Sequence, residues 1–411
     1  MKLLLVVSCL VACVTPRVPG PPRPPASDRY DRAASPDPIV RASATDELAF
    51  DPSPQATQML LVLLRRDRDP GVRARAASAI EARRDTNLDS ELRRAAAADP
   101  DPGARAAAAT AYRRLRPWRK RPGTAAGLSL LCPGCGQVYL GDNTGYANLA
   151  ATATLFTTAV VMLRGHEVAL DGAADSAQVP IALQLAIAGQ NLWFYSIFDA
   201  YRDARVARGD EGYKFSITRE SLGELASAPF RLGVIKSPWV WAGVPLALAA
   251  GIGVSLLVEG DDFEDRPTIF DVRRVNVFGH DFHRGRGFAV GTAYFASLFA
   301  PVGVGEEALF RGLIQTELEE RFGTVGGLVA ASAIFGAVHI TNFTDDLATA
   351  AVAVPLITVL GASLGLAYQR TGHKLSTSVA MHFWYDFLLS TVAFAVDPTN
   401  QPFVVNYSTP M

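Results

Sequence analysis

Cysteine is scarce: Cys9, Cys13, Cys132 and Cys135 are the only four in 411 residues, too few for a disulfide-stapled scaffold. Charge is scarce as well. Asp, Glu, Lys and Arg make up 19% of the chain, against about 25% in ordinary soluble proteins. The shortfall is uneven, for the first third is Arg-rich while the remainder holds long stretches with no charge at all. A wholly soluble globule is thereby excluded. Neither sign is in excess: 39 Lys and Arg against 40 Asp and Glu leave a net charge of −1. Nothing in that balance suggests a nucleic-acid partner.

What the sequence has in quantity is apolar length. Uncharged runs cover 122–141, 143–163, 176–198, 237–258, 287–305, 322–338, 347–369 and 375–396, the last interrupted only by His382 and Asp386. About 20 apolar residues cross the hydrocarbon core of a bilayer as a helix, so most of these qualify. The first does so least, because Pro133, Gly134 and Gly136 sit in its middle. A single run could be a buried core helix; this many in one chain make a polytopic, all-α membrane bundle. The 199–236 connection carries Arg202, Arg205, Arg208, Lys214, Arg219, Arg231 and Lys236, whereas 164–175 carries only Arg164. The positive-inside rule then places 199–236 in the cytoplasm. By the same walk, 259–286 and the tail after Asp397 lie outside, and Arg321 and the 370–374 turn lie inside.

The amino-terminal third is different in kind. Residues 1–13 read as a signal-peptide leader, too short to span, ending in Leu10-Val11-Ala12-Cys13. That ending resembles a bacterial lipoprotein cleavage box, which would make Cys13 the lipidated first residue of the mature chain. A Pro-rich tether follows over 14–30. Over 31–116 there is an internal repeat: Asp37-Pro38-Ile39-Val40-Arg41, Asp69-Pro70-Gly71-Val72-Arg73 and Asp101-Pro102-Gly103-Ala104-Arg105, each followed at the same offset by Ala44, Ala76 and Ala108. Asp is a good N-cap and Pro is tolerated at the first helical position, so each copy announces a helix start. The pattern resembles HEAT-type helical repeats. It reads as a partner-binding surface or, equally, as a spacer. Arg113, Arg114, Arg116, Arg119, Lys120 and Arg121 form a basic cluster that argues for the cytoplasm, while a cleaved lipoprotein leader argues for an extracytoplasmic repeat domain. The expectation adopted is extracytoplasmic. The next segment, 122–200, reads as a membrane hairpin region. In it, Cys132-Pro133-Gly134-Cys135 has the spacing of a thiol redox motif, but no βαβ pattern surrounds it, and it is read as a structural turn.

Three polar clusters interrupt the apolar carboxy-terminal part: Glu306-Glu307-Ala308-Leu309-Phe310-Arg311, Phe335-Gly336-Ala337-Val338-His339 and His382-Phe383-Trp384-Tyr385-Asp386. Ionisable groups within membrane helices are costly and face a cavity or one another, so they are functional candidates by default. Glu307 and Arg311 are one helical turn apart and can pair; Glu306 projects elsewhere and stays available. His382 and Asp386 are also one turn apart. If the chain folds back at Gly323, then at about 1.5 Å per residue Glu306 and His339 stand roughly 25 and 24 Å above the turn, at nearly one height. Pro301, Gly303 and Gly305 suggest a break from which a new helix starts just before Glu306. Glu306 is then the natural general base, with His339 steering the water. His382, helped by Asp386, can stabilise an oxyanion. Equally, Glu306, His339 and His382 form a candidate zinc set, although no His-Glu-x-x-His run occurs. His280, His283, His166 and His373 are read as loop residues, and Asn191, with Gln184 and Gln190, as a helix-to-helix contact.

Glu-Glu-x-x-x-Arg, Phe-x-x-x-His and His-x-x-x-Asn/Asp in this order resemble the CPBP intramembrane protease family, which includes type II CAAX prenyl endopeptidases and bacteriocin-processing or immunity proteins. The resemblance covers roughly 237–397. It implies Glu306, Glu307, Arg311, His339, His382 and Asp386 as site residues, with Asp386 standing where the best-known eukaryotic members have Asn. It also implies either zinc or no cofactor, since the family is described both as a metalloprotease and as a glutamate protease. The expected activity is cleavage of a membrane or secreted protein or peptide at the bacterial plasma membrane. The alternative is a catalytically silent scaffold or bacteriocin-immunity protein of the same fold.

Overall fold

The computed structural model describes residues 26–164, 177–259, 267–343 and 347–398. The 1–13 leader with Cys13, the tether as far as residue 25, His166 and the tail beyond 398 lie outside the described residues. The described residues divide into two units, one of 26–121 with 207–212 and the other of 122–206 and 213–398.

Among the described residues the amino-terminal unit has six α-helices: α1 (Ala26–Ala33), α2 (Pro38–Leu48), α3 (Pro54–Arg66), α4 (Pro70–Ala82), α5 (Asp89–Ala98) and α6 (Pro102–Leu115). Its repeat is what the spacing predicts. Asp37, Asp69 and Asp101 cap α2, α4 and α6, their carboxylates accepting from the backbone N–H of Ile39, Val72 and Ala104, and Pro occupies the first turn each time. Ala44, Ala76 and Ala108 are fully buried, small enough for neighbouring helices to close over them. In the first two repeats the starting Arg has a role that the spacing alone does not reveal. Arg41 donates to Asp67, and Arg73 makes the same paired contact with Asp99, Nε to Oδ2 at 2.8 Å and Nη2 to Oδ1 at 2.7 Å. Each of these two repeats is thus clamped to the loop that opens the next.

This ladder has a pH consequence. The Arg73 guanidinium holds the Asp99 carboxyl below the usual carboxylate range, against a smaller upward push from burial. A depressed folded value means the stabilisation is complete above the unfolded value of about 3.9 and is lost as pH falls through the lower folded value. In hydrogen exchange on the full chain, corrected for intrinsic rates, protection of α4–α6 should decline from about pH 4 downward. Arg73→Ala should cost about 1.5–3 kcal/mol at neutral pH and flatten that decline. A wild-type profile as flat as the variant's would show that the clamp contributes nothing.

The second unit holds α7 (Pro122–Leu131), α8 (Cys135–Leu140), α9 (Thr144–Leu163), α10 (Gln178–Ala207), α11 (Leu222–Ser227), α12 (Leu232–Ile235) and α13 (Pro238–Glu259). A β1 (Arg274–Val277) and β2 (His280–His283) hairpin precedes α14 (Arg284–Glu307), a π-helical segment Ala308–Gln315, α15 (Thr316–Val338), α16 (Leu347–Arg370) and α17 (Leu375–Val396). Among the described residues five helical stretches are long and apolar enough to cross a membrane: 144–163, 178–207, 284–341, 347–370 and 375–396. The unit is an all-α polytopic bundle. In the most apolar window of α9 only 11% is buried within the protein, and Val160 and Val161 are exposed, as expected of a helix whose remaining surface meets lipid.

The apolar run 122–141, the weakest of the candidate spans, breaks where its Pro133-Gly134 suggests, into α7 and α8, each too short to cross. Gln137, fully buried, pins this turn by donating to the Ser196 carbonyl and to Asp199 of α10, and Cys132 and Cys135 are joined by a disulfide. Two other expectations need correction. The 259–286 connection contains a short antiparallel hairpin, Val275 opposite Phe282, turning at Phe278 and Gly279, both with positive φ. A Phe in that position is no usual turn signal, which is why the hairpin is not legible beforehand. Finally, no new helix starts before Glu306. α14 runs through Pro301 to Glu307, and the change of geometry comes after it, in the π-helical segment.

The fold-back does occur at Gly323 (φ 76°, ψ 170°), a conformation that favours glycine. Arg311 and Phe335 are equally far in sequence from Gly323 on either side, and the Arg311 guanidinium lies over the Phe335 ring at 4.3 Å. The two arms therefore run back antiparallel, at matched height. α14 packs along α17, α15 along α16, and α13 against α17 and α16.

Candidate active site

All six site residues inferred from the sequence are buried, and contacts bring them together around His382. From α14, Glu307 Oε1 lies 2.8 Å from His382 Nδ1 and 3.1 Å from Arg311 Nη1. An ionised carboxylate only accepts, so Nδ1 carries the hydrogen. The other ring nitrogen, Nε2, faces Asp386 Oδ2 at 3.3 Å, one turn along its own helix, and Glu306 Oε2 at 3.9 Å. Glu306 is thus the carboxylate standing off from the network, while Glu307 is held by two partners.

Arg311 has no polar exit. Its Nη2 donates to the Gly361 carbonyl of α16 at 2.9 Å, and its flat cation covers Phe335, an attractive arrangement when desolvated. Phe335 is the shared platform of the site: its ring centroid is 5.0 Å from Phe310, 4.6 Å from His339 and 6.2 Å from His382. His339 donates from Nδ1 to the Phe335 carbonyl at 2.7 Å, a local bond within one helical turn. That bond fixes the tautomer and leaves Nε2 as the nitrogen available to a ligand or water.

Glycine allows the close packing behind the base. A Cβ on Gly305 would lie 2.4 Å from Asn191 Oδ1 and 2.5 Å from the Asn191 carbonyl, so α14 touches α10 directly beside Glu306. Asn191 itself donates to Ile187 of its own helix, whereas Gln184 makes the expected bond between helices, to Ser297 at 2.7 Å. His280 and His283 are exposed, as anticipated. His373 is not an isolated loop residue: Nε2 meets Glu319 at 2.8 Å, with Phe215 and Tyr368 against its ring. Sequence reasoning missed the roles of Phe335 and Gly361, and missed Tyr385, whose ring stacks on His382 at 5.0 Å and 21°. Tyr385 could have been noticed, being the residue next to Asp386 in an apolar helix.

The zinc set does not assemble. Among the described residues no three His, Cys, Asp or Glu side chains form a group placed to hold a metal ion, and both ring nitrogens of His382 already face carboxylates. The arrangement offers a standing-off carboxylate, an imidazole with one free nitrogen and a second imidazole bracketed by carboxylates, which is a set suited to moving protons.

Two family matches agree with this geometry. Residues 27–113 match HEAT repeats, and residues 288–388 match the type II CAAX prenyl endopeptidase Rce1-like family. No curated protein and no solved structure gave a match. The second match begins in α14, ends in α17 and takes in all six site residues, so the membrane part of this all-α chain is similar to the Rce1-like type II CAAX prenyl endopeptidases, and its amino-terminal part is similar to HEAT repeats.

Proposed function

We propose that the protein is an intramembrane endopeptidase that hydrolyses a peptide bond of a membrane or secreted protein or peptide, using water activated by Glu306 and His339. The observation that carries this reading is the meeting of Glu306, Glu307 and Asp386 on the two nitrogens of one buried imidazole, His382. Glu306 takes a proton from water as the water oxygen bonds to the scissile carbonyl carbon. The carbonyl π pair moves to oxygen, and the His382 Nε2–H donates to the oxyanion. When the C–N bond breaks, the proton held by Glu306 passes to the departing amine. His339 Nε2 accepts a hydrogen bond from the water and aims it. Glu307 and Asp386 orient His382, and Arg311 neutralises Glu307.

As part of the same proposal, the protein lies in a bacterial plasma membrane with 199–236 in the cytoplasm. The HEAT unit recruits the substrate from the cytoplasmic side. Segment 122–141 holds no spanning helix and residues 207–212 belong to the HEAT unit, which argues against the extracytoplasmic placement expected from the leader. The test compares purified wild type with Glu306→Gln in the same bilayer, read as new peptide termini by mass spectrometry. Termini that appear with both proteins, or with neither, would leave the scaffold or immunity reading in its place.

The close approach at Gly305 makes a separate expectation. Gly305→Ala must push α14 away from Asn191 while leaving Glu306 chemically intact. A displacement of about 1 Å at the base should lower the cleavage rate by about 10²-fold. An unchanged rate in a folded variant would show that this contact does not place the base.

A further inference from the structure

Tyr385 is 1% exposed, and its hydroxyl is buried without a hydrogen-bond partner. Leaving such a group unpaired is costly, and Phe would fill the same space without that cost. The ring is firmly placed. It stacks on His382 and packs among Val244 and Ala247 of α13 and Leu360 and Leu364 of α16. Leu360 adjoins Gly361, whose carbonyl holds Arg311. The hydroxyl lies within electrostatic reach of Asp386, Glu307, Arg311 and Glu306. On the next residue Asp386 Oδ1 is also buried and unpaired. A donor and an acceptor, on adjacent residues and both unmet, are what a peptide group supplies: its carbonyl accepts and its N–H donates.

We infer that Tyr385 is a further catalytic residue, whose O–H donates to the scissile carbonyl oxygen alongside His382 as that oxygen takes on negative charge. This rests on the endopeptidase reading above. The phenol keeps its proton throughout; only the hydrogen bond strengthens as the tetrahedral intermediate forms. The fixed ring means that no reorganisation is needed when the charge develops, which is where such donors gain their effect.

Tyr385→Phe keeps the ring stack and removes only the donor. With detergent-solubilised host membrane proteins as the substrate pool, the variant should make the wild-type termini about 10²- to 10³-fold more slowly, the usual cost of losing one oxyanion donor. On a quenched synthetic peptide copying the strongest of those termini, kcat should fall while KM stays unchanged, the mark of a contact made only in the transition state. The thermal unfolding midpoint should be unchanged or raised, because an unmet polar group has gone. A lowered midpoint with unchanged kcat would make Tyr385 a packing residue and overturn the inference. If Glu306→Gln stops cleavage and Tyr385→Phe does not slow it, the inference alone fails. If wild type and Glu306→Gln behave alike, the endopeptidase reading fails and takes this one with it.

Discussion

Glu306→Gln should reduce peptide-bond cleavage by about 10²- to 10⁴-fold, the range lost with a positioned general base, and should leave the bundle intact. Gln preserves shape and burial but has no carboxylate to receive the water proton. Glu306 stands 3.9 Å from His382 and does not take part in the tighter contacts at 2.8 and 3.1 Å that Glu307 makes. Its neutralisation therefore breaks no short bond. The measurement is the rate of terminus formation beside a thermal unfolding midpoint in the same micelles. A midpoint that falls together with the rate would mean Glu306 holds the fold rather than the water. The corresponding Glu307→Gln substitution should show that opposite pattern, because it loosens both Arg311 and His382.

Arg311→Leu should be the most destabilising single change in the membrane unit. Arg311 is 2% exposed and Glu307 0% exposed, so removing the cation leaves a carboxylate deep in the protein, a change that costs about 3–5 kcal/mol when a buried pair is broken. The His382 contact moderates the loss, since Glu307 keeps one hydrogen-bond donor. The variant also frees the Gly361 carbonyl and uncovers the Phe335 face. Adding Glu307→Gln should recover part of the stability, because the uncompensated charge is gone; a double-mutant cycle in denaturant would read the coupling. Strict additivity of the two changes would mean the pair is not interacting across the 3.1 Å that separates it.

Much of the site was legible in the sequence because charge in an apolar run is a local signal. Glu306, Glu307, Arg311, His339, His382 and Asp386 stand out against their neighbours with no knowledge of the fold, and helical spacing pairs Glu307 with Arg311 and His382 with Asp386. Both pairings are present. What spacing could not reveal is that His382 also reaches across to Glu307 of another helix, so that Asp386 and Glu306 share a single nitrogen. Phe335 was visible as part of a motif, but its role as a platform for Arg311, His339 and His382 depends on three helices meeting. The helix break expected before Glu306 was misplaced for a related reason. Pro301, Gly303 and Gly305 look like breakers in isolation, yet Gly303 and Gly305 serve close approach to α17 and α10, and buried neighbours keep the helix continuous through the proline.

The sequence by itself determined the repeat period, the capped helix starts of the amino-terminal unit, the apolar lengths that cross a bilayer and the few ionisable residues set within them. Each of these follows from interactions within a turn or two of chain, or from transfer of a segment between water and lipid. Only the tertiary structure decided the π-helical segment after Glu307, the hairpin before α14, the Arg-to-Asp clamps between repeats and the orphaned Tyr385 hydroxyl. Those depend on which distant groups come to lie opposite one another, and a buried polar atom is met or left unmet only once every neighbouring helix has been placed.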